Sequence, residues 1–141
     1  MMKKWLKILI IVVAVIVGIS AFLYFYPPMP LYIYRTENIV DEYFAAFSDA
    51  GGSLSYFLQG DDTKIAEVLR RMNKCIRKLN HIHPPAGAKL DYEQLKKALE
   101  LSSMVVISRL MGDEEYVYNA IVNRSINAWR DWELTRKNLK Q

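Results

Sequence analysis

The chain has 141 residues, 52% of them hydrophobic, with 19 Lys and Arg set against 15 Asp and Glu. Once an apolar N-terminal segment is set aside, about 105 residues remain, which is one small domain and too little chain for two. Lys3, Lys4 and Lys7 hold three of the 19 cations, so the remainder is nearly neutral; with no basic tail and no aromatic–basic interleaving, a nucleic-acid partner is not expected.

From Trp5 to Tyr26 the only charge is Lys7. At 1.5 Å per residue such a stretch is about 30 Å long as a helix, the thickness of a bilayer core. Trp5 at one end and Tyr24 and Tyr26 at the other suit the water–lipid interface. The lysines precede the segment, whereas only Arg35 closely follows it, ahead of Glu37, Asp41 and Glu42. The positive-inside rule then expects a single-pass signal-anchor in a cell membrane, with the N-terminus cytoplasmic and residues 5–26 in the lipid bilayer. The alternative is a signal peptide cut before Ala21. Its apolar run would continue past the cut through Phe22, Leu23, Tyr24 and Phe25, longer than a signal sequence needs.

Pro27, Pro28 and Pro30 interrupt helical hydrogen bonding, so residues 1–26 are read as cytoplasmic tip and anchor, 27–35 as a stiff spacer with Tyr32 and Tyr34 near headgroups, and 36–141 as an extracytoplasmic helical domain. The periodicity from there on is helical throughout. A first helix from near Thr36 places Val40, Tyr43, Phe44, Phe47, Leu54 and Leu58 in one phase across Gly51 and Gly52. Gln59-Gly60 ends it, and Asp61 or Asp62 caps the next.

The second helix carries an apolar stripe of Ile65, Val68, Leu69, Met72, Ile76 and Leu79, with Arg70, Arg71, Lys74, Arg77 and Lys78 on the opposite face. It stops at His83-Pro84-Pro85. A third helix, from about Ala88 to Met111, faces Leu95, Leu99, Ser102 and Val106 inward, while Met104, Ile107 and Met111 lie on another side. Gly112 closes it and Asp113 is expected to cap a fourth, whose inner face includes Tyr118, Ile121, Val122, Ser125, Trp129 and Trp132. Arg136, Lys137 and Lys140 suit its C-terminal dipole.

The expected fold is all-α: a transmembrane helix followed by a small antiparallel up-down-up-down four-helix bundle, with the His83 turn near the membrane and the Gly60 and Gly112 turns far from it. His81 and His83 are the only metal-ligand candidates, with Glu37, Asp91 and Glu93 expected at the same end, but two histidines without a spaced third ligand are a weak signal. Cys75, the lone cysteine, reads as a small buried hydrophobe. Asn123-Arg124-Ser125 matches a glycosylation sequon, but Ser125 lies on the inner face.

No phosphate-binding glycine loop, nucleophile elbow or zinc helix motif is present in the sequence, and no cofactor is expected. What the sequence offers instead is surfaces: the basic face of Arg70, Arg71, Lys74, Arg77 and Lys78, and the second apolar side of Met104, Ile107 and Met111, which another part of this chain covers, as small bundles often arrange, or else a protein partner or a second copy does. The expected function is a non-enzymatic binding or accessory module of the cell envelope. A ligand- or metal-binding sensor head acting through a partner membrane protein is the alternative.

Overall fold

The computed structural model describes residues 3–49 and 62–141, and every regular element among them is a helix. These are α1 (Lys4–Phe25), α2 (Met29–Asp49), α3 (Asp62–Asn80), α4 (Lys89–Met111) and α5 (Glu115–Leu139). The continuation of the first bundle helix across Gly51 and Gly52, with Leu54 and Leu58, and the Asp61 cap lie outside the described residues.

α1 buries none of its 22 residues and is long and apolar enough to cross a membrane. It ends at Tyr26, whose φ of −132° leaves the helical region while its N–H still donates to the Phe22 carbonyl at 2.7 Å. Pro27 and Pro28, having no N–H, cannot extend the ladder.

The helical chain resumes at Met29, seven residues before the start expected near Thr36. Residues 29–35 are therefore not an extended spacer. Pro30 falls in the first turn, where backbone N–H groups lack intrahelical acceptors in any helix, so its missing donor costs nothing there. The Tyr32 N–H bonds the Pro28 carbonyl at 3.0 Å and starts the ladder. This early start carries Tyr32 into the interior, fully buried, instead of to headgroups; Tyr34 stays exposed.

The core is one apolar cluster. α2 supplies Ile39, Val40, Tyr43 and Ala46; α3 supplies Ile65, Val68, Met72, Cys75 and Leu79; α4 supplies Leu95, Leu99 and Val106; and α5 supplies Trp132. The α3 set recurs strictly at three- or four-residue intervals, and the α2 and α4 sets keep to one side of their helices, with Val40 beside Ile39 and a two-turn step from Leu99 to Val106. A fully buried Leu or Met in such a cluster contributes about 1.5–3 kcal/mol relative to exposure.

Ala98, Leu101 and Ala128 form a second contact between α4 and α5. Beside them Ser102 and Ser125 share a hydrogen bond of 2.8 Å, and the Trp129 Nε1–H donates to Ser102 Oγ at 2.7 Å. α2 packs on α3, α3 on α4 and α4 on α5. Across the cluster, Tyr32 of α2 meets Asp91 of α4 and Glu42 of α2 meets Lys78 of α3, while Asp91 meets Arg136 of α5.

α4 ends on Gly112, whose φ of +69° is the left-handed conformation that favours glycine. The Gly112 N–H donates to the Arg109 carbonyl and the Asp113 N–H to the Ser108 carbonyl. Asp113 does not cap α5, whose N-cap is Glu114 with no side-chain hydrogen bond. Its carboxylate accepts instead from Ser108 Oγ at 2.9 Å, closing the end of α4.

Candidate interaction surfaces

On α4 the buried side chains Leu95, Leu99, Ser102 and Val106 face the core, and Ala98, Leu101 and Val105 are buried as well. Met104, Ile107 and Met111 fall outside both sets and are 45%, 38% and 74% exposed. Leu110, not singled out in the sequence, is exposed too. Together they form an apolar strip along the second half of α4, beside its Gly112 end.

The basic face of α3 borders a groove of about 450 Å³ lined by Arg70, Arg71, Lys74, Cys75 and Lys78, with Glu42 and Glu67 on its walls. Two of its cations are paired at exposed positions: Lys78 Nζ with Glu42 at 2.7 Å, and Arg70 with Glu67 one turn earlier at 2.6 Å. Pairs this exposed to water and salt hold the fold together little. Arg77 does not line this groove. Cys75 Sγ lies 4.0 Å from the Glu42 carboxylate. Burial pushes its thiol up and the Glu42 charge adds to that, outweighing Lys78, Arg71 and Lys74, so Cys75 is the opposite of an activated nucleophile.

The two histidines are separated by their partners. His81 Nδ1–H donates to the Arg77 carbonyl at 2.6 Å, because a carbonyl can only accept. The His83 ring instead packs on α1, its centroid 5.4 Å from that of Tyr24 and 5.5 Å from that of Phe25. Of the carboxylates expected nearby, Asp91 is held by Arg136 and Tyr32, and Glu37 pairs with Lys140. Among the described residues no three His, Cys, Asp or Glu side chains come together as a metal site.

A cluster that the sequence reading missed joins three helices at this same end. Arg136 of α5 and Asp91 of α4, 5% and 1% exposed, form a two-point pair with Nε–Oδ2 at 2.8 Å and Nη2–Oδ1 at 2.7 Å. Arg136 Nη2 also donates to Thr36 Oγ1 of α2 at 2.7 Å, and the Tyr32 hydroxyl donates to Asp91 Oδ1 at 2.8 Å. The guanidinium stands over the Trp132 ring at 4.9 Å and the Tyr32 ring at 5.6 Å, within cation–π range.

Burial works against the Arg136 charge, but the hydrogen bonds and charge of Asp91 prevail and raise its pKa. Burial, aided by Asp91, pushes the Tyr32 phenol far above its usual range. The signal was available in the spacing: Arg136 follows Trp132 by four residues on an inner stripe, and Asp91 precedes Leu95 by four on another.

In comparisons with protein-family models, with curated proteins and with solved structures, nothing matches the chain.

Proposed function

We propose that the protein is a membrane-anchored, non-enzymatic binding or accessory module. In this reading α1 crosses a cell membrane with its N-terminus cytoplasmic, and α2 to α5 form an antiparallel up-down-up-down four-helix bundle at the extracytoplasmic face. The observation that carries it is α1 itself: 22 residues, uncharged beyond Lys7 and with nothing buried, joined through Pro27-Pro28 to a domain with its own apolar core. A helix apolar all round and uncovered by protein calls for lipid. The lysines at positions 3, 4 and 7 support the orientation.

The bundle topology draws support from the pairings at one end, where Tyr32, Asp91 and Arg136 meet, and at mid-height, where Tyr43 donates to the Leu99 carbonyl and packs on Trp129. A non-enzymatic role fits the use made of the buried polar groups, which bind helices to one another: Arg136 to Asp91 and Thr36, Ser102 to Ser125 and Trp129. The exposed strip of Met104, Ile107, Leu110 and Met111 is the contact surface this reading assigns to a protein partner or second copy.

The reading is tested on whole, wall-stripped cells. Protease added outside should digest the domain and leave the N-terminus protected, and alkaline carbonate should fail to release the intact chain. A domain protected from outside, or recovered free in the medium, overturns it. The second reading, a sensor head acting through a partner membrane protein, is favoured by one contact: His83 ties the turn between α3 and α4 to the end of α1.

A further inference from the structure

The end of the domain nearest α1 is fixed by contacts. His83 packs on Tyr24 and Phe25, and Gly87 lies beside the Met29 methyl. That end therefore comprises the start of α2, the end of α3, the turn 81–88, the start of α4 and the end of α5.

It bears two kinds of unused group. Arg35, Arg77, Lys89 and Lys137 reach solvent there, and none forms an ion pair with a described residue, whereas Lys78, Arg136 and Lys140 of the same region are paired with carboxylates. Glu93 and Glu133 are carboxylates without an ion pair among the described residues within two turns of this end, and Asp41 stands unpaired beside Glu42, so the unpaired cations still outnumber them. Tyr26, Tyr34 and Leu90, amphipathic or apolar, are exposed among them. Cations on long stems interspersed with tyrosines and a leucine are the composition of a surface that lies at a lipid headgroup layer.

We infer that this end of the bundle is a docking face for anionic phospholipid headgroups, with Arg35, Arg77, Lys89 and Lys137 on phosphates and Tyr34 and Leu90 against the acyl boundary. The inference rests on the reading that α1 crosses a membrane. If it does, the turn touching Tyr24 and Phe25 stands at headgroup height, because those residues close the apolar span. Each of the four cations lies within two turns of the helix end at this side of the domain, and long side chains extend beyond such a span. Binding then needs no free diffusion: the anchor already holds the face over the lipid, and charge decides how closely the face is drawn into the headgroup layer.

The test uses the full chain reconstituted into vesicles of phosphatidylcholine alone, or of phosphatidylcholine with anionic phosphatidylglycerol. A dye at Ala86→Cys in a Cys75→Ser background reports the proximal turn, and one at Asn119→Cys reports the far end. Acrylamide, a neutral aqueous quencher, should reach the Ala86 dye at least about twofold less in anionic than in neutral vesicles. The difference should vanish at high salt, where the Debye length is about 3 Å, and the Asn119 dye should respond to neither change. Joint replacement of Arg35, Arg77, Lys89 and Lys137 by Gln should remove it too, while the lipid and salt arms need no folded variant.

Equal quenching in both vesicles, from a chain that resists alkaline extraction, overturns the docking face and leaves the anchor standing. Release by alkali overturns the anchor, and the docking face with it.

Discussion

Arg136 grips Asp91 through two parallel hydrogen bonds although 45 residues separate them in the chain, and Thr36 of a third helix accepts from the same guanidinium. Both charges are out of water, so removing one strands the other. Asp91→Ala should cost about 3–5 kcal/mol in a denaturant melt, while Asp91→Leu with Arg136→Met should cost much less than the two single changes together. Additive losses would show that the two residues act independently.

The domain should lose stability in alkali through its buried phenols. Tyr32 and Tyr43 are both held far above the usual phenol value of 10, chiefly by burial. Below that value folded and unfolded chains hold the same protons, and the contribution is fully present. Above it the unfolded chain releases protons that the folded chain keeps, so stability falls by about 1.4 kcal/mol per pH unit for each tyrosine. Melting midpoints followed from neutral to strongly alkaline solution should trace this fall. Tyr43→Phe should flatten it, and an unchanged slope in that variant would reassign the effect to other groups.

Gly112→Ala tests the end of α4. A methyl there meets nothing within 4 Å, so packing predicts no penalty, whereas the φ of +69° predicts about 1–2 kcal/mol for any residue with a Cβ. Asn, whose short amide tolerates the left-handed region, should cost less than Ala. Equal stability of all three would mean the turn relaxes to another conformation.

Joint change of Met104, Ile107 and Met111 to Ser should cost well under the roughly 2–5 kcal/mol of a buried Met or Ile truncation at each site, least at Met111, which is 74% exposed, and most at Ile107, which is 38% exposed. Sedimentation of the detergent-solubilised chain then asks what the strip is for. Self-association lost in the triple variant supports a second copy as the occupant; a wild-type chain that sediments as a monomer removes that reading.

Much of the helical content could be read from local spacing, and the misses have a common cause. The α3 stripe was legible because Ile65, Val68, Met72 and Leu79 alternate cleanly with cations, so every turn repeats the same message. The surplus of apolar residues on α4 was legible too, since there are too many for one face, but spacing alone does not say whether the chain itself covers the rest; Met104, Ile107 and Met111 are exposed.

The start of α2 was misread because proline has two meanings that the sequence alone does not separate: a break inside a helix, and a good residue in its first turn. Pro27 and Pro28 take the first meaning and Pro30 the second. The Arg136–Asp91 pair escaped because each charge has an ordinary local explanation, a helix-end cation and a first-turn acid. Only the meeting of three helices makes them partners. Asp113 misled in the same way, since an acid just before a helix suggests a cap for that helix, while its hydrogen bond runs back to Ser108.

The seat of His83 against Tyr24 and Phe25 makes a lever of the molecule. Two prolines in a row already make a stiff joint, since each ring fixes its own φ; the His83 ring packed against the last turn of α1 gives that joint a second point of contact, and two points transmit torque where one does not. A tilt of about 10° in the stalk, carried along α4, whose 23 residues reach about 35 Å, moves Met111 by about 6 Å. The His83 turn and the methionine strip are thus the short and long arms of one beam, and whatever rocks the first sweeps the second.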